Sequence, residues 1–105
     1  MSHVVWVEIG MAGLPIRIFR NRKQVSGFFR EYPRREAIAA IRHQIFVRSA
    51  GYCELCAVPV TEQTMHMHEQ KHRGKGGEVS LVNSVGICAI CHKHEHRDRE
   101  PKWSK

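Results

Sequence analysis

Apolar residues change their spacing several times along this chain, and each spacing predicts a different element. Val4 to Ile9 and Ile16 to Phe19 are short β-branched and aromatic runs parted by Gly10, Gly13 and Pro15, which reads as two strands joined by a turn. From Arg34 to Ser49 the period becomes helical. Ile38, Ile41, Ile45 and Phe46 share one face, Arg34, Arg35, Arg42 and His43 the other, and Gly51 stands where the helix should end. Between these elements, Arg20 to Pro33 sets Phe28, Phe29 and Tyr32 among arginines. That segment is either a nucleic-acid contact or an ordinary packed connector, and the connector is the simpler expectation.

Alternation returns at Thr64 to Glu69. As a strand this stretch places Met65 and Met67 on one face, expected to pack inward, and His66 and His68 on the other. A glycine-rich basic loop follows, His72-Arg-Gly-Lys-Gly-Gly77, then Ser80-Leu-Val-Asn83-Ser-Val-Gly-Ile-Cys88, which turns into a short strand. A helix is expected to start there. On it His92 and His96 lie about one turn apart on one face, a spacing suited to a single metal ion, while His94 points elsewhere. The tail beyond Arg97 is charged and is expected to fray.

The cysteines change the picture most. Cys53-Glu-Leu-Cys56 and Cys88-Ala-Ile-Cys91 are two short knuckles separated by 31 residues, and each supplies two thiolates to one tetrahedral site once the intervening chain folds back. Two disulfides are the alternative. The N-terminus, Met-Ser-His-Val-Val-Trp, has neither a charged leader nor a long apolar segment, so no secretory signal or membrane span is expected. A reducing cytosol and a structural zinc follow. A chain of 105 residues forms one small domain with a core that is marginal without such a staple. The expected parts are a basic region over residues 1–50, a cysteine- and histidine-bearing region over 51–97, and a charged tail over 98–105.

Charge narrows the partner. The net charge is +7, and nine Lys and Arg against three Glu place most of it within the first 50 residues. Such an excess fits a polyanion, most plainly nucleic acid, although a cationic face can also serve solubility alone. In the glycine-rich loop, Arg73 and Lys75 are candidate phosphate contacts, because glycines let backbone approach a phosphate closely.

Taken together, Cys53, Cys56, His68, Arg73-Gly-Lys-Gly-Gly77, Ser80-Leu-Val-Asn83, Cys88, Cys91, His92 and His96 resemble the HNH endonucleases. The resemblance covers about residues 48 to 97 and is nearest to the small zinc-knuckle members that bacteriophages encode beside DNA-packaging genes. It implies an α+β fold in which two strands and a helix grip one divalent cation, the ββα-metal or His-Me finger fold, here zinc-stapled and preceded by a strand pair and helix. By the same resemblance His68, His92 and His96 are ligands of a catalytic cation, whether magnesium, manganese, nickel or zinc. Asn83 pins the loop that keeps the catalytic strand in register, and the four cysteines hold zinc away from the chemistry.

The implied reaction is metal-dependent hydrolysis of DNA phosphodiester bonds by an endonuclease or nickase, leaving 5′ phosphate and 3′ hydroxyl ends. Phage DNA processing in the host cytosol is its implied setting, with the terminase large subunit as a possible partner. One departure stands out. The residue after the first ligand is normally the histidine base, and here it is Glu69, with His72 and His66 as alternatives; a shift that makes His66 the ligand and His68 the base is also open. A different class of protein would share most of these features: a non-catalytic zinc-knuckle module that binds nucleic acid, in which His66, His72, His94 and the other histidines are merely polar.

Overall fold

A computed structural model describes residues 3–19, 29–70 and 79–95. Its first unit is a three-stranded antiparallel sheet made of β1 (Val4–Ile9), β2 (Pro15–Ile18) and β3 (Phe29–Pro33), in the order β2-β1-β3. The expected strand pair is present. Val7 pairs with Ile18 and Glu8 with Arg17, and a register irregularity between Glu8 and Ile9 sets Ile9 opposite Pro15, so β2 starts one residue earlier than its apolar run suggests. Gly10 makes the turn compact, since a Cβ there would stand 2.8 Å from Ile16 Cγ2.

β3 corrects the reading of Arg20 to Pro33 as a connector. Phe29 to Pro33 pair in full register with β1, from Val4 opposite Pro33 to Glu8 opposite Phe29. The strand lies at a sheet edge and is mostly exposed, so it lacks the apolar alternation that marks a half-buried strand. Its apolar anchors are Tyr32, packed against the core, and Phe29, whose ring meets Trp6 edge-on at 5.2 Å. The remainder of that segment lies outside the described residues.

α1 (Arg34–Ser49) spans the expected range. Its buried residues, Ala37, Ile41 and Ile45, recur every four positions and face the sheet, while Ile38 and Phe46 flank them half-buried. Pro33 precedes the first turn, and the Arg34 N–H donates to the His3 carbonyl. At the other end Ala50 and Gly51 both take left-handed conformations, φ 57° and 85°, and their N–H groups close on the Val47 and Phe46 carbonyls.

The second unit is stitched to the first. β4 (His66–Glu69) and β5 (Ser84–Ile87) pair antiparallel, with His68 opposite Val85 and Glu69 opposite Ser84. A second helix, α2, runs over 89–95. Residues 79–81 run along β2: the Ile18 N–H donates to Val79 O at 2.7 Å, and the Leu81 N–H donates to Ile16 O at 3.0 Å. One core serves both units, because Val7, Ile9 and Ile18 of the sheet and Ala37, Ile41 and Ile45 of α1 enclose Met65 and Val79. Gly86 permits the closest approach. A Cβ on it would lie 2.8 Å from Ile45 Cγ2 and closer still to Met65 Sδ, so any larger residue would force those side chains or β5 to shift. The result is a small α+β protein with two helices, antiparallel strands and a four-cysteine cluster. Among the described residues no helix is long and apolar enough to cross a membrane.

Candidate metal centre and histidine cluster

The left-handed exit from α1 turns the chain directly into the first knuckle. Tyr52 bridges to Pro59, the Cys53 N–H donates to Val58 O at 2.8 Å, and the Ala57 N–H donates back to Cys53 O at 2.9 Å with Ala57 itself at φ 69°. This tight turn aims both sulfurs at one point. Cys53 Sγ accepts from the N–H groups of Leu55 and Cys56, each at 3.4 Å. The second knuckle repeats the device at the start of α2, where the Cys91 N–H donates to Cys88 Sγ at 3.4 Å.

All four Sγ atoms lie within 4.8 Å of one another, and Cys56 Sγ is 3.8 Å from Cys88 Sγ. A tetrahedral zinc with bonds of about 2.3 Å sets its sulfurs about 3.8 Å apart. A disulfide would need about 2.05 Å. All four cysteines are free, so the cluster has the geometry of a single four-thiolate site rather than two crosslinks.

Protonation supports the same conclusion. Burial pushes the Cys53 thiol up, but backbone N–H groups of Cys56, Cys88 and Leu55 outweigh it and bring the group down to about 6. The Cys91 thiol moves the opposite way, raised first by the Cys56 side chain and then by burial and the remaining sulfurs. Sulfurs packed this closely cannot all carry charge by themselves. A bound dication would supply the positive charge that lets all four ionise, and the donor set would favour a thiophilic metal such as zinc.

A polar brace fixes the cluster to the rest of the molecule. Arg48, in the last turn of α1, holds Glu54 of the first knuckle with two hydrogen bonds of 2.7 and 2.8 Å. The same guanidinium donates to the carbonyls of Leu81 and Ser84 at 2.8 and 2.9 Å. Glu54 Oε1 in turn accepts from the Gly86 N–H at 2.8 Å, and the Glu54 N–H donates to Gly86 O. Arg48 holds the Glu54 carboxyl below its ordinary range, with the Gly86 N–H adding to the effect against the opposing cost of burial. Neither residue was singled out for this role by sequence, since their partners lie 6 to 36 positions away.

The histidines gather where β4 meets α2. His68 is 6% exposed, and its ring meets that of His92 at 5.7 Å in an edge-on arrangement. His66, on the same face of β4, stacks on His92 at 4.7 Å. The sulfur face packs inward as expected, with Met65 1% exposed and Met67 packed against the core, and His68 on the opposite face is buried as well, so the strand is enclosed from both sides at that point. Glu69 is half-buried and, by strand alternation, projects to the face opposite His66 and His68. His94 is exposed on α2, as its spacing implies. Asn83 lies in the loop before β5. Its N–H donates to Ser80 Oγ at 3.0 Å and its carbonyl accepts from the Gln70 N–H at 2.7 Å, so its backbone ties the start of β5 to the end of β4.

Glu95 was overlooked in the sequence and joins this group, with Oε1 3.7 Å from His68 Nε2. Its signal was available, because positions 92 and 95 are three apart and share a helix face. His72, Arg73, Lys75 and His96 lie outside the described residues. Among the described residues, the four cysteines form the one group of three or more potential ligands close enough to hold an ion. Several arginines of the basic region are engaged internally. Arg17 pairs with Glu8 at 2.6 Å, and Arg42 donates to the carbonyls of Glu62 and Met65. Arg30 and Arg35 are exposed.

No protein-family model, curated protein or solved structure matches this chain.

Proposed function

We propose that the protein is a metal-dependent DNA endonuclease or nickase of the HNH type, with β4, β5 and α2 as its ββα-metal unit. The observation that carries this reading is the nearly buried His68 on β4 meeting His92 one residue past the second knuckle, on a helix that follows the paired strands directly. The reading assigns the four cysteines to a structural zinc and His68, His92 and His96 to a catalytic divalent cation. Asn83 keeps the two strands in register, which its backbone hydrogen bonds to Ser80 and Gln70 support.

When bound, the cation would stabilise charge on the scissile phosphate and the leaving 3′ oxygen. The residues of the chain orient the phosphate, activate water and exclude bulk solvent. Glu69 is the base by its place in the motif, whereas His66 is the base that strand geometry favours, since it shares a face with His68 and stacks on His92. Glu69→Ala and His66→Ala distinguish the two, because only loss of the true base lowers the cleavage rate by about 100-fold or more while leaving cation binding intact. Arg73, Lys75 and the exposed Arg30 and Arg35 are assigned to DNA backbone contacts, and phage DNA packaging beside the terminase large subunit is the proposed setting.

The test is a supercoiled-plasmid assay of zinc-loaded protein with magnesium, manganese and nickel, run beside His68→Ala and His92→Ala. Relaxed or linear product that both variants lose supports the nuclease, and relaxed circles alone mark a nickase. Absence of product with every cation, together with a retained plasmid shift, moves the assignment to a non-catalytic zinc-knuckle nucleic-acid binder.

A further inference from the structure

We propose that Cys56 is an oxidation site: hydrogen peroxide converts its sulfur to a sulfenic acid, Cys88 closes a disulfide on it, and the four-cysteine site gives up its metal. The inference rests on the zinc reading of that site and not on the nuclease reading. It assigns to two of the four sulfurs a modification that metal binding alone does not require. Its starting points are an unequal exposure and one distance.

The four sulfurs are not equivalent. Cys53 is 3% exposed, and its Sγ already accepts from the N–H groups of Leu55 and Cys56. Cys88 and Cys91 are half-buried, whereas Cys56 is exposed. A sulfur that binds zinc is held as the thiolate, which is also the form that attacks peroxide. Oxidation then selects among thiolates by solvent access and by a second cysteine within reach to resolve the first product. Cys56 meets both conditions, because it is exposed and Cys88 Sγ lies 3.8 Å from its own. That pair has to close by only about 1.8 Å to reach the disulfide length of about 2.05 Å.

The chemistry balances with peroxide as the oxidant. The Cys56 thiolate takes one oxygen as the O–O bond breaks, and the other oxygen leaves as hydroxide. The Cys88 thiolate attacks the sulfenic sulfur, the S–O bond breaks and a second hydroxide leaves. Two thiolates have then lost two electrons, and peroxide has become two hydroxides that take up two protons as water. Cys53 and Cys91 remain as thiolates, too few ligands to close a tetrahedral site.

The consequence falls on α2. The first knuckle stays tied to β5, since the Glu54 N–H donates to Gly86 O at 2.9 Å and Arg48 holds the Glu54 carboxylate. The second knuckle opens α2, where the His92 N–H donates to Cys88 O at 2.9 Å. Drawing Cys88 toward Cys56 therefore disturbs the turn that carries His92 to β4, and the histidine cluster is coupled to the redox state of the sulfurs.

The experiment adds hydrogen peroxide to the zinc-loaded full chain in the absence of reductant. Released zinc is read with a chromophoric chelator, disulfides by peptide mapping, and α2 by hydrogen exchange. Cys56→His and Cys91→His run alongside wild type, because three cysteines and a histidine are an ordinary zinc set. We expect wild type to release its zinc as the disulfide between Cys56 and Cys88 appears, with loss of protection in α2 and recovery on adding a thiol reductant and zinc. Cys56→His should release zinc about 10-fold more slowly and Cys91→His within about twofold of wild type, because only the first removes the most accessible sulfur. A first disulfide between any other two cysteines would overturn the pairing, and this map of the wild-type chain decides the point even where the histidine variants fail to hold zinc. Equal release from wild type and a zinc-loaded Cys56→His would overturn Cys56 as the point of attack. Zinc retained under excess peroxide would overturn the oxidation site while leaving the zinc reading standing. A reduced, folded chain that takes up no zinc would overturn the zinc reading and this inference with it.

Discussion

The two units of the molecule are held together by different physics. The sheet and α1 supply Val7, Ile9, Ile18, Ala37, Ile41 and Ile45 to the core, a contiguous apolar cluster of the ordinary kind. Among the described residues, the unit built on β4, β5 and α2 lends Met65 and Val79 to that cluster, with Val60, Met67 and Leu81 packed half-buried against it and Ile87 and Cys53 also buried. Its remaining order comes from four convergent sulfurs, the Arg48 and Glu54 brace, and backbone hydrogen bonds to β2. A short chain can thus devote its apolar residues to one half and let polar contacts and a cysteine cluster that could bind a metal shape the other, where the histidines gather. The difference also implies unequal responses when each kind of support is withdrawn.

Metal removal should separate the two units most sharply. Structural zinc in small modules contributes on the order of 10 kcal/mol, comparable to the stability of a whole domain. Chelation, or Cys53→Ser with Cys88→Ser, should therefore release the amides of β4, β5 and α2 to hydrogen exchange, while the strands of the N-terminal sheet and α1 retain slower exchange. Uniform protection after zinc is stripped would show that the core alone holds both units. Equal loss in both would show that the sheet and helix depend on the metal as much as the knuckles do.

Substitutions in the shared core test the opposite side of the comparison. Ile45 is fully buried and touches both units, and truncating it to Ala should cost about 2–5 kcal/mol through the cavity left behind. Gly86→Ala works by crowding, since the added methyl meets Ile45 and Met65, and should cost about 1–3 kcal/mol. Both are read as a fall in the urea midpoint of zinc-loaded protein. A neutral Gly86→Ala would mean that β5 can move away from α1 without loss.

How much of this was legible in the sequence depends on how local each signal is. The helix, the first strand pair and the two knuckles are written in nearby residues, by period, turn residues and Cys-x-x-Cys spacing, and the structure reproduces them. β3 was not legible because an exposed edge strand such as Phe-Arg-Glu-Tyr-Pro carries no alternation, and its identity comes from pairing with β1. The burial of His68 was hidden for a related reason. Alternation in β4 indicates two faces, but only the placement of α2 decides that the histidine face is covered as well. The partners of Arg48 are a matter of tertiary geometry, joining positions that ordinary spacing rules do not connect, whereas Glu95 shares a helix face with His92 and was within reach of such a rule.

The brace between the units gives the smallest and most specific effect. Glu54 sits with its carboxyl held below the ordinary range, chiefly by Arg48, so its interactions stabilise the fold most when it is ionised. Because the folded state binds that proton less readily than the unfolded chain, the contribution is complete above the ordinary carboxylate pKa of about 4.3 and is lost as pH falls through the lower, folded value. Arg48 is 40% exposed, so solvent screening reduces the worth of the pair to about 1 kcal/mol. Glu54→Gln keeps the shape and removes the titration. Its urea midpoint should lie below that of wild type by a constant margin from pH 8 to pH 5, and the margin should narrow at lower pH. The cysteines titrate in both proteins, so the difference between the two isolates Glu54. A margin that stays unchanged down to pH 3 would assign the effect to lost packing. Absence of any margin at pH 7 would mean that the backbone hydrogen bonds to Val79 and Leu81 join the units without help from the brace.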